Sequence, residues 1–195
     1  MRYLGIDFGK KQSFTVLTAV EYDGQKAFVR MKLKSRDPFD VQFTWISNII
    51  KKLRPSSVNV DKTGLGIPLE ERLVSHFPGL IQGIQFSSQT KEKLVMNALQ
   101  LFSAGRIEIP DDKDLKDQLH GIEKEILDSG RVKLTGKRSE TDWLDDEAWS
   151  LFLACLSVGD DQWSFQIASQ GNLRNKPKNA YDAWVRDVDE MGNSL

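Results

Sequence analysis

The sequence contains very little cysteine and histidine, which excludes several kinds of site. Cys155 is the only cysteine, so no disulfide can form within the chain, and its apolar neighbours predict a buried structural thiol. The two histidines, His76 and His120, have no partner at metal-ligand spacing, so we do not expect a zinc site built from histidine and cysteine. The lack of disulfides fits a reducing cytoplasm.

Long apolar segments are also missing. No run reaches the roughly 18 apolar residues that a membrane-spanning helix needs, and the first residues lack the features of a signal peptide. We therefore expect a soluble protein with no membrane partner.

With 195 residues the chain has room for one sizeable core. Residues 1–158 are predicted to form that domain, and residues 159–195, which turn polar after Gly159, a C-terminal extension.

Excess charge of either sign is absent as well. The formal net charge is −1, which gives no overall attraction to a polyanion such as DNA. The near-zero net charge nevertheless conceals local clusters of basic residues. Such clusters also occur on ordinary solvated surfaces, so they support DNA binding only if they flank a catalytic centre. These clusters are Lys10 and Lys11; Lys32, Lys34 and Arg36; Lys51, Lys52 and Arg54; and Arg131, Lys133, Lys137 and Arg138.

Apolar periodicity and turn residues predict an alternation of strands and helices. Strands are predicted at 3–7, 13–22, 27–33, 58–61, 80–86 and 106–109. Helices are predicted from about 38 to 53 and at 67–76, 88–104, 113–127 and 144–158, with an exposed loop at 129–142 that could contain a hairpin around Lys133 to Lys137. Three strands followed by alternating helices and strands predict an α/β domain with a mixed sheet and helices on both faces.

Three acidic positions lie where a carboxylate is both costly and geometrically useful. Asp7 ends the apolar first strand and Asp61 ends another, while Asp145 and Asp146 begin the last apolar helix. If the two strands are neighbours, their carboxylates converge at one sheet edge. Turn capping explains Asp7 and Asp61 separately, and the helix dipole alone accounts for Asp145 and Asp146. The joint pattern favours a metal site.

Clustered carboxylates without histidine or cysteine point to a hard divalent cation. Mg²⁺ prefers oxygen ligands and retains water and phosphate oxygens in its coordination shell, so a few carboxylates suffice. Two such ions, Mg²⁺ or Mn²⁺, would support phosphodiester hydrolysis by activating water and stabilising the leaving oxygen. The pattern therefore indicates a metal-dependent hydrolase.

Three acidic segments resemble the motifs of the terminase nuclease family, the C-terminal nucleases of tailed-bacteriophage DNA-packaging terminase large subunits. The similar segments are Leu4-Gly5-Ile6-Asp7-Phe8-Gly9, Val58 to Gly66, and Asp145-Asp146-Glu147-Ala148-Trp149-Ser150-Leu151. Between them, Gly83 to Ser87, then Lys91, Lys93 and Leu94, then Gly105 to Pro110 follow the family's order of strand, long helix and short strand. The resemblance spans roughly the first four-fifths of the chain.

This resemblance implies a ribonuclease H-like fold with a five-stranded mixed central sheet. It implies that Asp7, Asp61 and Asp146 are catalytic metal ligands, with Asp145 an additional or alternative ligand. It further implies cleavage of double-stranded viral DNA during packaging, in the cytoplasm of an infected host cell. The implied partners are an ATPase motor domain, the small terminase and the portal. Candidate phosphate contacts are Lys10, Lys11, Lys137 and Arg138.

Three other functions remain open at this stage. Gly5-Ile6-Asp7-Phe8-Gly9 also resembles the first phosphate loop of actin-like and sugar-kinase ATPases, but the chain lacks room for the second domain those proteins require. No Gly-x-x-x-x-Gly-Lys-Ser/Thr motif occurs either, so this chain is not expected to be a packaging motor. The other two alternatives are a ribonuclease H-like junction resolvase and a non-catalytic DNA- or portal-binding module.

Overall fold

The computed structural model describes residues 1–9, 13–126, 132–136 and 145–158. Its strands, in chain order, are β1 (Arg2–Asp7), β2 (Thr15–Tyr22), β3 (Ala27–Ser35), β4 (Ser57–Asp61), β5 (Ile81–Ile84), β6 (Ile107–Glu108), β7 (Ile122–Ile126) and β8 (Val132–Gly136). Its helices are α1 (Phe39–Leu53), α2 (Ile67–His76), α3 (Ser88–Ser103), α4 (Lys113–His120) and α5 (Asp146–Cys155).

The central sheet is mixed and has the order β5-β4-β1-β2-β3-β6. Strands β1, β2 and β3 pair antiparallel, whereas β1, β4 and β5 pair parallel. The predicted mixed sheet is confirmed, but its predicted count of five strands is wrong. The sixth strand, β6, pairs only two residues, Ile107 and Glu108, with Ala27 and Phe28. The sequence itself predicted a strand at 106–109, so the error lies in the five-stranded count that the family resemblance implied.

Helices cover both faces of this sheet, as predicted. On β1, Leu4 and Ile6 face the core beneath α1 and α2, while Tyr3 faces the core beneath α3, α4 and α5. The alternation follows from the two-residue period of a strand. Positions of β1 with odd numbers therefore face α5, and Asp7 is the last of them.

The helix predicted at 113–127 is wrong in its second half. Helix α4 ends at His120, and Ile122–Ile126 form β7, which pairs antiparallel with β8. Gly121 is a poor helix former and separates the two elements. The loop predicted at 129–142 thus contributes a strand at Val132–Gly136, while its other residues lie outside the described part.

Among the described residues, no helix combines the length and apolar character needed to cross a bilayer. The predicted buried thiol is confirmed: Cys155 lies fully buried in α5, and burial raises its pKa to about 12. The extension predicted at 159–195 lies outside the described residues, so the division of the chain at residue 158 stays a prediction.

Candidate active site

The register of β1 and β4 makes Asp7 and Asp61 neighbours. These parallel strands pair Gly5 with Asn59 and Ile6 with Val60, so the next position on each strand carries an aspartate. Adjacent strands are about 4.8 Å apart. Asp7 and Asp61 are only 8% and 7% exposed. The two carboxylates expected to converge from the sequence are therefore adjacent at the carboxyl edge of the sheet.

Helix α5 packs directly against β1 and β4, on the face of the sheet to which the odd-numbered positions of β1 point. A Cβ added to Gly5 would lie 2.0 Å from the backbone oxygen of Ser150 and 2.2 Å from the nitrogen of Ala154, so glycine is required for this approach. The Nδ2 of Asn59 donates to the carbonyl of Leu153 at 2.9 Å. These contacts place the first turn of α5 above the sheet edge at which β1 and β4 end.

Asp146, the first residue of α5, is held at this edge by the connection between β1 and β2. The backbone N–H of Phe14 donates to Oδ2 of Asp146 at 2.8 Å. Asp146 is 9% exposed. The fold thus brings Asp7, Asp61 and Asp146 to one place from three separate elements, although the chemical role of each stays a prediction.

The electrostatic state of these acids confirms that they influence one another. Burial raises the pKa of Asp7 well above its usual value, and the negative charges of Asp146, Asp61 and Asp145 raise it further. Burial also raises the pKa of Asp61. The pKa of Asp146 rises to about 6, mainly through burial, with the charge of Asp145 adding to the effect. Nearby positive charges, those of Lys91 and Arg36, offset only part of these increases in pKa.

One carboxylate oxygen of this cluster receives no hydrogen bond from the described residues. Oδ1 of Asp61 is buried and has no hydrogen-bond partner within the part of the chain that the structure describes. A buried acceptor without a donor is costly, so such an atom in a native site requires an explanation. A cation at the sheet edge would supply one.

Lys91, in the first part of α3, is the cation that acts on these carboxylates most directly. Its charge opposes the rise in the pKa of both Asp7 and Asp61. Its Nζ lies 4.3 Å from the ring centroid of Trp149 and 5.3 Å from that of Phe86. Sequence reasoning assigned Lys91 no role, because a helical lysine is usually a solvated surface residue.

Asp145 differs from Asp146 in its side-chain contacts. Its Oδ2 accepts a hydrogen bond from the indole N–H of Trp149 at 2.6 Å, one turn further along α5. One of its oxygens is thereby engaged within the helix. The negative charge of Asp145 nevertheless raises the pKa of Asp7, so Asp145 lies beside the cluster, and its choice as an additional or alternative ligand stays a prediction.

Glu147 is a buried acid to which sequence reasoning assigned no role. It is 2% exposed, and its carboxylate bonds to Nζ of Lys32 and, at 2.9 Å, to Nζ of Lys34. Lys32 also pairs with Asp112 at 2.6 Å. This ion-pair cluster, formed by Glu147, Lys32, Lys34, Asp112 and Asp114, ties α5 to β3 and to the start of α4.

The donors of the acidic cluster suit a hard divalent cation. Among the residues described here, no three acid, imidazole or thiol groups are already arranged to hold a metal ion. Mg²⁺, however, is commonly held by one or two carboxylates together with water and phosphate oxygens. The adjacent, buried carboxylates of Asp7 and Asp61, and the unpaired Oδ1 of Asp61, fit that mode of binding.

The predicted phosphate contacts fall elsewhere. Lys10, Lys11, Lys137 and Arg138 all lie outside the described residues, so their roles stay predictions.

Comparisons with known proteins bear on this arrangement. Residues 4–157 match the family described as the terminase RNaseH-like domain. The terminase large subunit of Thermus virus P23-45 is 26% identical over 191 residues, which cover 94% of this chain and 37% of that relative. The chain therefore spans little more than a third of that protein's length.

Solved structures share the fold. The large terminase nuclease of thermophilic phage G20c, solved with bound magnesium, superposes with a TM-score of 0.68 at 22% identity, covering 80% of each chain. A mutant nuclease domain of the large terminase subunit of bacterial virus Sf6, solved with manganese and β-thujaplicinol, has a TM-score of 0.62 at 11% identity, covering 79% of this chain and 87% of that one. The ribonuclease H-like fold is confirmed, and the chain belongs to the terminase RNaseH-like domain family.

Proposed function

We propose that this domain is a divalent-metal-dependent endonuclease that cleaves double-stranded viral DNA during genome packaging. The observation that carries the proposal is the convergence of Asp7, Asp61 and Asp146 at one sheet edge, where all three are buried and all three pKa values are raised. Family membership and the metal-bound structures of the G20c and Sf6 relatives support it.

In this proposal Asp7, Asp61 and Asp146 hold two ions of Mg²⁺ or Mn²⁺, and Asp145 contributes a further oxygen. The metal would activate a water molecule and stabilise the leaving oxygen of the phosphodiester. The residues of this chain do the positioning. The N–H of Phe14 orients one oxygen of Asp146. The close packing of α5 on Gly5 fixes the distance of Asp146 from Asp7 and Asp61.

The biological setting is proposed on the same basis. The domain would act in the cytoplasm of an infected host cell, in a packaging complex that contains an ATPase motor domain, the small terminase and the portal. The Lys10, Lys11, Lys137 and Arg138 side chains would contact DNA phosphates.

Plasmid cleavage tests the proposal. Supercoiled and linear plasmids are incubated with the protein and Mn²⁺ or Mg²⁺, with and without a chelator, and the wild type is compared with Asp61→Asn. Asp40→Asn is the matched control, because Asp40 is an exposed carboxylate of α1 paired only with Arg72 at the surface. Metal-dependent cutting by the wild type and the control, but not by folded Asp61→Asn, is expected.

Three results of this experiment would contradict the proposal or part of it. Absence of cutting with either metal, from folded protein, would favour a DNA- or portal-binding module. Preferential cutting of a four-way junction over linear duplex would favour a junction resolvase. Full activity of Asp61→Asn would remove Asp61 from the site.

A further inference from the structure

Lys91 lies in an aromatic corner beside the candidate active site. It is the fourth residue of α3 and is partly buried. Its Nζ lies 4.3 Å from the ring centroid of Trp149 and 5.3 Å from that of Phe86, within the range of a cation–π interaction. The two ring centroids are 5.3 Å apart, and the ring planes are inclined at 54°. Two ring faces of different direction therefore restrict the position of the ammonium group.

Both rings are tied to the segments that carry the acids. The indole N–H of Trp149 donates to Oδ2 of Asp145, the residue before α5, at 2.6 Å. The backbone N–H of Phe86 donates to the hydroxyl of Thr63 at 2.9 Å, and Thr63 follows Asp61 by two positions. The aromatic corner is thus connected to the start of α5 on one side and to the end of β4 on the other.

The positive charge of Lys91 acts on the acids, but its hydrogen-bond donors are not taken up by them. Burial raises the pKa of Asp7 and of Asp61, and the charge of Lys91 opposes both increases. Among the described residues, Nζ of Lys91 takes part in no ion pair and no hydrogen bond. An ammonium group has three N–H donors. Lys91 therefore retains donors for an anionic ligand that approaches the cluster.

Two neighbouring lysines lie in different surroundings. Lys62 directly follows Asp61 and pairs with Glu70 of α2 at 3.6 Å. Lys93 is two positions after Lys91 on α3, is exposed, and makes no ring contact or ion pair with any described residue. Because a helix turns by about 100° per residue, Lys93 points about 200° away from Lys91. Lys93 therefore provides a matched control for the loss of one lysine from α3.

The anion that fits this position is a phosphate oxygen. Metal ions held by Asp7 and Asp61 would bind oxygens of the phosphate that is cut, and the charge of Lys91 acts on these same two acids. A cation that is already in place stabilises charge developing on the phosphate oxygens without any reorganisation. The aromatic contacts also reduce the conformational freedom that the lysine side chain loses when a ligand binds.

We infer that Lys91 binds a non-bridging oxygen of the phosphate that the proposed endonuclease cuts, while Trp149 and Phe86 hold its ammonium group in place. This inference rests on the proposed function, since it takes a DNA phosphodiester as the substrate. It adds to the site a residue that contacts the substrate directly, near the ends of β4 and β5. The aspartates bind the metal, and Lys91 binds the phosphate.

The test is single-turnover cleavage of a fluorescent linear duplex, with the full 195-residue chain in excess and Mn²⁺ raised until the rate no longer changes. The dependence of the rate on protein concentration gives a maximal rate and a half-saturating concentration. We expect Lys91→Gln to lower the maximal rate on the order of 100-fold, the effect of removing one donor that stabilises developing charge. Lys91→Arg should restore much of the rate, and Lys93→Gln should match the wild type.

Salt dependence distinguishes a phosphate contact from an effect on the acids alone. The loss of one phosphate contact reduces the slope of log affinity against log salt by about 0.9. We expect this reduction in Lys91→Gln and none in Lys93→Gln, with the reciprocal of the half-saturating concentration taken as the affinity. A lysine that only compensates the charge of the acids would leave the slope unchanged.

Three results would overturn the inference. A folded Lys91→Gln protein that cuts at the wild-type maximal rate, or equal losses in Lys91→Gln and Lys93→Gln, would overturn it and leave the endonuclease proposal intact. A lowered maximal rate with an unchanged salt slope would refute the phosphate contact and indicate an effect on the acids alone. Absence of cutting by the wild type with either metal would overturn both proposals.

Discussion

Asp146 and Glu147 are consecutive, both are buried at the start of α5, and their surroundings differ completely. Asp146 shares its site with Asp7, Asp61 and Asp145, and its pKa is raised to about 6. Glu147, on the neighbouring part of the helix surface, bonds to two lysines of β3. Burial of a carboxylate is common to both.

The contrast shows that charge balance, rather than burial, separates the two roles. A buried acid with cationic partners fixes the position of a helix, because breaking such a pair leaves an uncompensated charge. A buried acid among other acids is unfavourable until a cation or proton joins it, which is typical of functional sites. The first turn of α5 therefore carries both an acid that holds the helix in place, Glu147, and an acid of the candidate metal site, Asp146.

The largest expected effect comes from separating α5 from the sheet. Gly5→Ala places a methyl group about 2 Å from the α5 backbone, and backbone atoms cannot move aside as a flexible side chain can. We expect a loss on the order of 3 kcal/mol or more in the free energy of unfolding, measured with urea. Gly24→Ala is the control, since no atom lies within 4 Å of its added Cβ and only its φ of 106° is unfavourable. Equal losses in both would contradict the close approach.

The next largest loss of stability is expected from Glu147→Gln, which removes the acid that holds α5 against β3. Glu147→Gln removes the charge that compensates Lys32, whose side chain is only 13% exposed, and should cost roughly 3 kcal/mol in the free energy of unfolding. Glu108→Gln, which removes an exposed pair with Lys26, should cost less than about 1 kcal/mol. A Glu147→Gln protein as stable as the wild type would show that the ion-pair cluster does not anchor α5.

The matching substitution at the neighbouring acid should change stability in the opposite direction. Asp146→Asn removes an unfavourable buried charge, and asparagine can still accept from the N–H of Phe14. Without metal at neutral pH, we expect a gain of roughly 1–2 kcal/mol, somewhat less than the full pKa shift implies. The same urea measurement applies, and destabilisation by Asp146→Asn would remove the distinction between the two acids.

A smaller effect is expected from pH. The pKa of Asp146 is about 6 in the folded protein and 3.8 as the ordinary value, so between these values the folded state binds the proton more tightly. The contribution of Asp146 to stability is therefore present below 3.8 and is lost as pH rises through about 6. The metal-free wild type should lose stability over this window relative to Asp146→Asn, as measured by urea unfolding at pH 4.5 and 7. A constant difference between the two proteins would contradict the raised pKa.

The sequence predicted the acidic cluster better than it predicted the anchor. Asp7 and Asp61 each end an apolar strand, where a carboxylate is conspicuous, so local pattern and parallel pairing together indicated their convergence. Glu147 joins lysines 113 and 115 positions away. Nothing in a helix that begins with three acids distinguishes the one that finds cationic partners.

The incorrect prediction of a helix over the second half of 113–127 has a related cause, since it too depends on a partner distant in the sequence. The mixed sheet and its two helical layers follow from apolar periodicity. By contrast, β7 is defined by its pairing with β8, where the sequence predicted the second half of a helix. Ile122–Ile126 contain residues that fit a helix or a strand, and the long-range partner decides between them.

The most direct test of the central claim is the location of a bound metal. A crystal of the protein grown with Mn²⁺, measured at a wavelength at which manganese scatters anomalously, would show the ion without assumptions about ligands. The account predicts anomalous density bounded by the carboxylates of Asp7, Asp61 and Asp146, and none at Glu147. Absence of manganese from the three aspartates, or its presence at Glu147 with Lys32 and Lys34 displaced, would contradict the account.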